Sequence, residues 1–404
     1  DEILSMLAKE MLDAAEQLPA SQPEGGRIHK YIALAYAAKI KLYQAYQQDE
    51  ITHAVTSINK ELLREVVSLC DQVTASNRYG LLDDFQGLDL VTNENGKESV
   101  FAIQYSMNDG TESAGRINWS NLLNSPGGGS PYGGDGFFLP SQDLINAYQT
   151  DANGLPDFNY QSKSDYSWAV LNNGVYTLQN TTPNVDPRLD FVVGRPTITW
   201  KTYPDKPCEG WVRDKDTYGY NCAKRFWVSP ESSDMFNGWP WGASQLNWQI
   251  IRYADILLWK AEALIELNEG NGLETARDLI NQIRNRARNS AYVKDFNDHS
   301  KYAANYLVNP YPADVWNQDY ARQALRWETR LEKALEGERF FDLVRWGIVE
   351  TTMNKYITAE SDNRIYYANA HFTGGKDEYY PVPNNQYGFS GGKYVQNPGY
   401  APFN

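Results

Sequence analysis

The sequence predicts a mainly α fold: a tetratricopeptide-like helical-repeat scaffold carrying a large irregular, loop-rich region and a few short β-hairpins. Three observations lead there. Residues 1–76 and 249–288 set apolar side chains at helical spacing, with alanines where paired helices approach closely. Residues 77–248 are rich in Gly, Asn, Asp, Pro and Tyr and hold eight of the twelve tryptophans, so they read as elaboration on a helical base. Residues 326–347 seat Leu331, Leu335, Phe340, Leu343, Val344 and Trp346 among alternating charges, with Gly337 as a break. A glycine costs a helix interior roughly 1 kcal/mol against alanine, so Glu336-Gly337-Glu338 marks a bend or junction.

The elements follow in order. Ile3, Leu4, Leu7, Met11, Ala14, Ala15 and Leu18 form the first stripe. Pro19 to Gly26 turns the chain, and Ile32, Ala35, Ala38, Lys39 and Leu42 form the second. Leu62, Leu63, Val66, Val67, Cys70 and Val73 share a third helical face, which makes Cys70 a small buried hydrophobe. In the middle region, glycine and proline at the density of residues 125–136 defeat both helix and strand. Pro140-Ser141 starts a helix there, with Asp143 in its first turn and Leu144, Ile145 and Tyr148 on its buried side. The runs VYTLQ and TITWKTY read as strands of small hairpins. Ile250, Ile251, Ala254, Leu257, Leu258, Ala261 and Ile265 then give one helix, and Ala276, Leu279, Ile280, Ile283 and Ala287 the next. The turn Asn268-Glu269-Gly270-Asn271-Gly272 joins them.

Composition excludes several functions. A net charge of −14 argues against nucleic acid or an anionic membrane surface as the main partner. No run reaches 18 apolar residues. The four histidines (His29, His53, His299, His371) are not paired at ligand spacing, so no zinc site is visible. No spaced motif supports calcium at loop aspartates such as Asp135 or Asp214, and nothing calls for a cofactor. Cys208 and Cys222 flank a polar, aromatic loop and are either a disulfide or two free surface thiols. The chain opens at Asp1 without an initiator methionine or signal peptide, and so reads as processed, trimmed or numbered from an internal point.

Aromatic rings in polar, glycine-rich loops raise the question of a ligand. A sugar offers an apolar face of C–H groups and a rim of hydroxyls, which flat rings and Asn, Asp, Gln or Arg side chains match. Trp119, Tyr132, Trp211, Trp239 and Trp241 have that mixed neighbourhood and are the expected ligand-binding residues. Pro240 between Trp239 and Trp241 would present two rings with little freedom left to lose on binding. The competing role for each is to pin a loop onto the helices. An enzyme is the weaker reading. A glycosidase needs two carboxylates about 5–9.5 Å apart with the acid's pKa raised, and no spacing singles out such a pair. No nucleophile elbow or phosphate loop appears either.

Six segments resemble, in order, those of the SusD/RagB family of outer-membrane nutrient-binding lipoproteins of Bacteroidetes. They are GRIHKYIALAYAAKIKLY (26–43), DPRLDF (186–191), IIRYADILLWKAEALIE (250–266), ARDLINQIRNRA (276–287), the block at 326–347, and YYPVP (379–383) with QNPGY (396–400). The resemblance implies one SusD-like domain over 1–404, with 1–76 as helical scaffold, 77–248 as ligand-binding elaboration and 249–404 as scaffold and C-terminal signature. It implies a non-catalytic protein on the extracellular face of the outer membrane that binds oligosaccharides or polysaccharides. Delivery would be to a SusC-like TonB-dependent transporter. The alternative is a peptide- or protein-binding module of the RagB kind. Family members carry a secretion signal, a lipid-bearing cysteine and further N-terminal helices. On that resemblance the membrane anchor and part of the ligand site lie before Asp1. The C-terminal block reads as scaffold, because Arg330, Arg339 and Arg345 sit near acids able to pair with them.

Overall fold

A computed structural model describes residues 2–403 except 113–114, 120–122, 125–126, 128, 202 and 239–241, with the backbone alone at 203–207. Its helices in chain order are α1 (Glu2–Gln17), α2 (Lys30–Ala45), α3 (Lys60–Ala75), α4 (Gln142–Ala147), α5 (Arg188–Val192), α6 (Lys215–Tyr218), α7 (Tyr253–Leu267), α8 (Gly272–Asn289), α9 (Gln318–Glu332), α10 (Arg339–Arg345), α11 (Val349–Glu360) and α12 (Asn384–Phe389).

The scaffold is a succession of neighbours: α1 on α2, α2 on α3, α3 on α7, then α7 with α8 and α9. Small residues make this close stacking feasible. Ala33, Ala35, Ala37, Ala38 and Ala45 of α2 are buried against Leu63, Val66 and Cys70 of α3 and Ile256 and Ala263 of α7. Helix α1 lies at the edge, burying Ala8 and Ala15 and leaving Ile3 and Met6 in solvent. Ala254, Leu257, Ala261 and Ile265 of α7 meet Ala276, Ile280 and Ile283 of α8 in a second core. Two predicted features are sharper in the structure. Ser141 caps α4 by accepting from the Leu144 amide at 3.2 Å. The block at 326–347 divides into α9 and α10, with Gly337 at φ +85° between them.

Residues 1–76 are not wholly helical. Tyr46–Gln48 and Val55–Ile58 form an antiparallel hairpin between α2 and α3. Strands this short carry too little alternation to register against the helical stripes around them. The middle region contains the expected hairpins, Trp168–Asn172 with Val175–Gln179 and Thr199–Trp200 with Tyr203–Pro207. Ser99–Ile103 pairs with Trp248–Arg252, so the loop-rich region leaves and re-enters the scaffold side by side.

Buried ions tie the middle region to the scaffold. From the DPRLDF segment, Arg188 holds Asp186 at 2.7 Å and Glu328 of α9 at 2.6 Å. Arg195 holds Asp190 at 2.7 Å. Arg252, fully buried, reaches Glu98 at 2.8 Å, Glu332 at 3.0 Å and Glu336 at 2.7 Å. Arg225 carries the chain from Glu336 (3.2 Å) to Asp89 (3.1 Å). Removing one member of such a set would strand its partner's charge, at a cost of about 3–5 kcal/mol. Of the three C-terminal arginines, Arg330 pairs with Asp143 at 2.6 Å and Arg345 with Asp342 at 2.9 Å. Arg339 departs from expectation: it is bonded to the Arg326 carbonyl, and burial pushes its guanidinium down to about 9.

Candidate ligand-binding site

A cleft of about 840 Å³ opens where the Leu82–Asn93 segment faces residues 227–234. Asp84 begins this wall by accepting from the Gln86 amide at 2.9 Å, which starts a 3-10 turn over Phe85–Asp89. The floor is apolar and aromatic at Phe191 and Trp227, and cationic at Lys201 and Lys224. The rim carries Asp83, Gln86, Asn93, Glu231, Ser232 and Asp234.

The floor charges are fixed. Lys201 donates to Asp89 at 2.8 Å. Burial alone would raise the Asp89 carboxyl, but Arg225 and Lys201 together hold it below the usual carboxylate range. Lys224 donates to the carbonyls of Asp190 (2.6 Å) and Thr199 (2.9 Å), and burial pushes its amine down to about 8. A buried carboxylate held ionised in this way is the opposite of a general acid. On the rim, Asp234 accepts from Gln245 at 2.7 Å and Ser232 at 2.9 Å, so its oxygens are oriented before any ligand arrives. The hydrogen-bonding groups of the rim match a saccharide's hydroxyls, whereas Phe191 and Trp227 are each only 3% exposed.

The sequence-selected aromatics fall in three places. Tyr132 and Trp211 are 1% and 5% exposed, so neither ring faces a ligand. They belong to a buried cluster with Trp200, Cys208, Val212, Cys222 and Trp227. The Tyr132 hydroxyl accepts from Trp200 Nε1 at 3.0 Å and donates to the Val228 carbonyl at 2.7 Å, which locks the cluster in one arrangement. A phenol and an indole bury large apolar area once their polar tips are satisfied, and here the polar tips are satisfied inside the protein. Trp119 is 47% exposed, beside the Asn118 amide that donates to the Ser244 carbonyl at 2.8 Å. Trp239 and Trp241 lie outside the described residues. The chain on either side of them is closed by Phe236 N donating to Ala243 O at 2.8 Å and by a Met235–Ser244 bridge. Gly242 has φ +78°, and a Cβ there would stand 2.6 Å from the Tyr132 carbonyl oxygen, so the buried cluster fixes the base of that loop.

The sequence reading missed Trp227 and Phe191. Trp227 lines the cleft and packs on Tyr132 at 4.8 Å between ring centroids, which joins the buried cluster to the open site. In the run RFWV it reads as ordinary core, and only its tertiary position distinguishes it. Cys208 and Cys222 are free thiols, buried rather than on the surface, and no bridge joins them. Cys222 sits in a strand pair opposite Gly194, with Cys208 as its neighbour; burial and that neighbour push its thiol up. Asp135 pairs with Arg213 at 2.8 Å and Asp214 caps α6. Among the described residues no group of three His, Cys, Asp or Glu side chains could hold a metal, and no helix is long and apolar enough to cross a membrane.

Comparison with known proteins follows the fold. The family model described as the SusD family matches residues 97–400. No curated protein matches the chain. A SusD homolog from Bacteroides thetaiotaomicron superposes with a TM-score of 0.66 at 17% identity, over 99% of this chain and 70% of its own. A SusD-like protein from Bacteroides fragilis gives 0.57 at 23% identity, over 87% of this chain and 61% of its own. Surface glycan-binding protein A from Bacteroides fluxus gives 0.61 at 20% identity, over 99% and 70%. The chain thus spans about three fifths of the length of the Bacteroides fragilis protein.

Proposed function

Because the chain belongs to the SusD family, we propose that it captures oligosaccharides and polysaccharides at the outer cell surface without cleaving them, for delivery to a partner TonB-dependent outer-membrane transporter. The observation that carries the binding half is the 840 Å³ cleft with its rim of oriented carboxylate, amide and hydroxyl groups, over a floor in which Phe191 and Trp227 are themselves buried. The rim satisfies a sugar's hydroxyls, and its C–H face calls for an exposed ring such as Trp119. Trp119, Trp239 and Trp241 are the ligand-contacting rings of this reading, and Tyr132 and Trp211 support it from the buried cluster that also contains Trp227. The cleft's ion-paired floor supports binding over hydrolysis, since Asp89 is committed to Arg225 and Lys201.

The transporter partner, the extracellular face of the outer membrane and an N-terminal lipid anchor belong to this reading through the family. The binding half is tested by native electrophoresis in gels loaded with soluble polysaccharides, alongside Trp119→Ala and Glu231→Ala. Retardation by at least one glycan, reduced in a variant of unchanged melting temperature, is expected. Release of new reducing ends on incubation would instead make the chain an enzyme. The delivery half is tested by co-purification with the transporter from membranes, and a chain that never co-purifies contradicts it.

A further inference from the structure

We propose that Cys208 and Cys222 are a thiol pair built to oxidise to a disulfide, which closes the chain from 208 to 222 into a loop beside the buried aromatic cluster. The structure shows the pair reduced, and three observations bring the two sulfurs together. Cys222 lies directly opposite Gly194 in an antiparallel strand pair. Side chains at opposed positions leave the same face of a sheet, about 4.5–5.5 Å apart at Cβ. A Cβ built on Gly194 would stand 3.5 Å from Cys208 Sγ, so Cys208 sits over that face beside Cys222. Gly194 leaves the room for it, since a side chain there would run into the Trp200 ring as well. From the other direction, Cys208 Sγ lies 4.0 Å from the carbonyl oxygen of Tyr220, two residues before Cys222. Both cysteines are buried in one cluster with Trp200, Trp211 and Trp227. Cys70 belongs to a different core, among residues of α2, α3 and α7.

The oxidant is a protein or small-molecule disulfide. One cysteine thiolate attacks a sulfur of that disulfide and forms a mixed disulfide; the second thiolate then displaces the oxidant. The cysteines give up two protons and two electrons, and the oxidant's S–S bond is reduced to two thiols. Burial, and then Cys208 itself, push the Cys222 thiol up, and a protonated thiol is a poor nucleophile. The bond therefore forms as the chain folds, before the cluster closes. Its consequence lies in what the loop holds. Arg213 donates to the Gly134 carbonyl at 2.7 Å and pairs with Asp135 at 2.8 Å, and Trp211 packs on Tyr132 at 6.2 Å between ring centroids. The bridge thus restrains the segment that grips the glycine-rich stretch at 132–136. That the chain meets an oxidising compartment rests on the cell-surface reading; the pairing itself rests on the geometry.

The test refolds the whole chain in a mixture of oxidised and reduced glutathione, traps the remaining thiols with iodoacetamide in denaturant, and maps the tryptic digest by mass spectrometry. The expected result is alkylation at Cys70 alone of the three cysteines, with a linked peptide pair joining Cys208 to Cys222. Cleavage after Arg213 and Lys215 puts the two cysteines on separate peptides, so the link is read directly. Dithiothreitol should return all three to the alkylated form, and Cys208→Ala should leave Cys70 and Cys222 alkylated with no link. Alkylation at all three cysteines after refolding, or a link that includes Cys70, overturns the proposal. The link can form in a chain that binds no glycan, and glycans can bind a chain without the link, so the two readings fail separately.

Discussion

Arg252 and Glu332, eighty residues apart, form a 3.0 Å ion pair with neither side chain more than 1% exposed. Arg188 and Arg286 share the same carboxylate. Burial alone would raise the Glu332 carboxyl, but Arg286, Arg252 and Arg188 more than offset it and bring it down to about 2. Its folded pKa thus lies below the ordinary 4.5, so its stabilisation is complete above that value and is lost as pH falls towards 2. Glu332→Gln should cost about 3–5 kcal/mol in urea unfolding and shift acid unfolding to higher pH. A cost under about 1 kcal/mol would mean that the network does not hold the loop region to the scaffold.

Glu360 titrates in the opposite sense. Burial raises it from 4.5 to about 7, partly opposed by the Asp143 amide at the start of α4. Glu94 is likewise raised to about 7 by burial. A folded pKa above the unfolded one gives stability that is full below about 4.5 and lost as pH rises through 7. The melting temperature should therefore fall between pH 5 and pH 8, and Glu360→Gln should flatten part of that slope. A melting temperature rising steadily over that range, with no effect of the variant, contradicts the assignment.

The C-terminal block should govern folding rather than binding. Gly337→Val forces a β-branched residue to φ +85°, though a Cβ there meets nothing within 4 Å. The strain is local and costs about 1–2 kcal/mol. Asp342→Ala removes one acceptor of Arg345 and leaves Glu262, for about 1–3 kcal/mol. Both variants should unfold earlier and bind glycan as before; lost binding at an unchanged melting temperature would move this block into the site.

Tyr132→Phe separates support from contact. It strands Trp200 Nε1 and the Val228 carbonyl, for about 1–3 kcal/mol. Trp119→Ala, at a half-exposed ring, should leave stability within about 0.5 kcal/mol and weaken glycan binding. The reverse pattern would place Tyr132 against ligand and Trp119 in the core.

The scaffold was legible because its signal is periodic. Ala35, Ala38 and Leu42, or Ala276, Ile280 and Ile283, repeat often enough to define faces, and those faces are the buried ones. Ser141 and Gly337 were legible because capping and chain breaking are local chemistry. The hairpin at 46–58 was too short to show. The site was legible only as composition. Aromatic excess marked residues 77–248, but burial sorts Tyr132 from Trp119, and burial is decided by long-range contacts such as Tyr132 with Trp227.

The most direct test of glycan capture is titration calorimetry of this chain against a panel of soluble plant, host and microbial glycans, with the double variant Trp239→Ala/Trp241→Ala alongside. The account predicts saturable binding to at least one glycan, no product release, and loss of that binding in the folded double variant. Saturable binding of peptides with silence across every glycan would contradict it and favour the peptide-binding alternative.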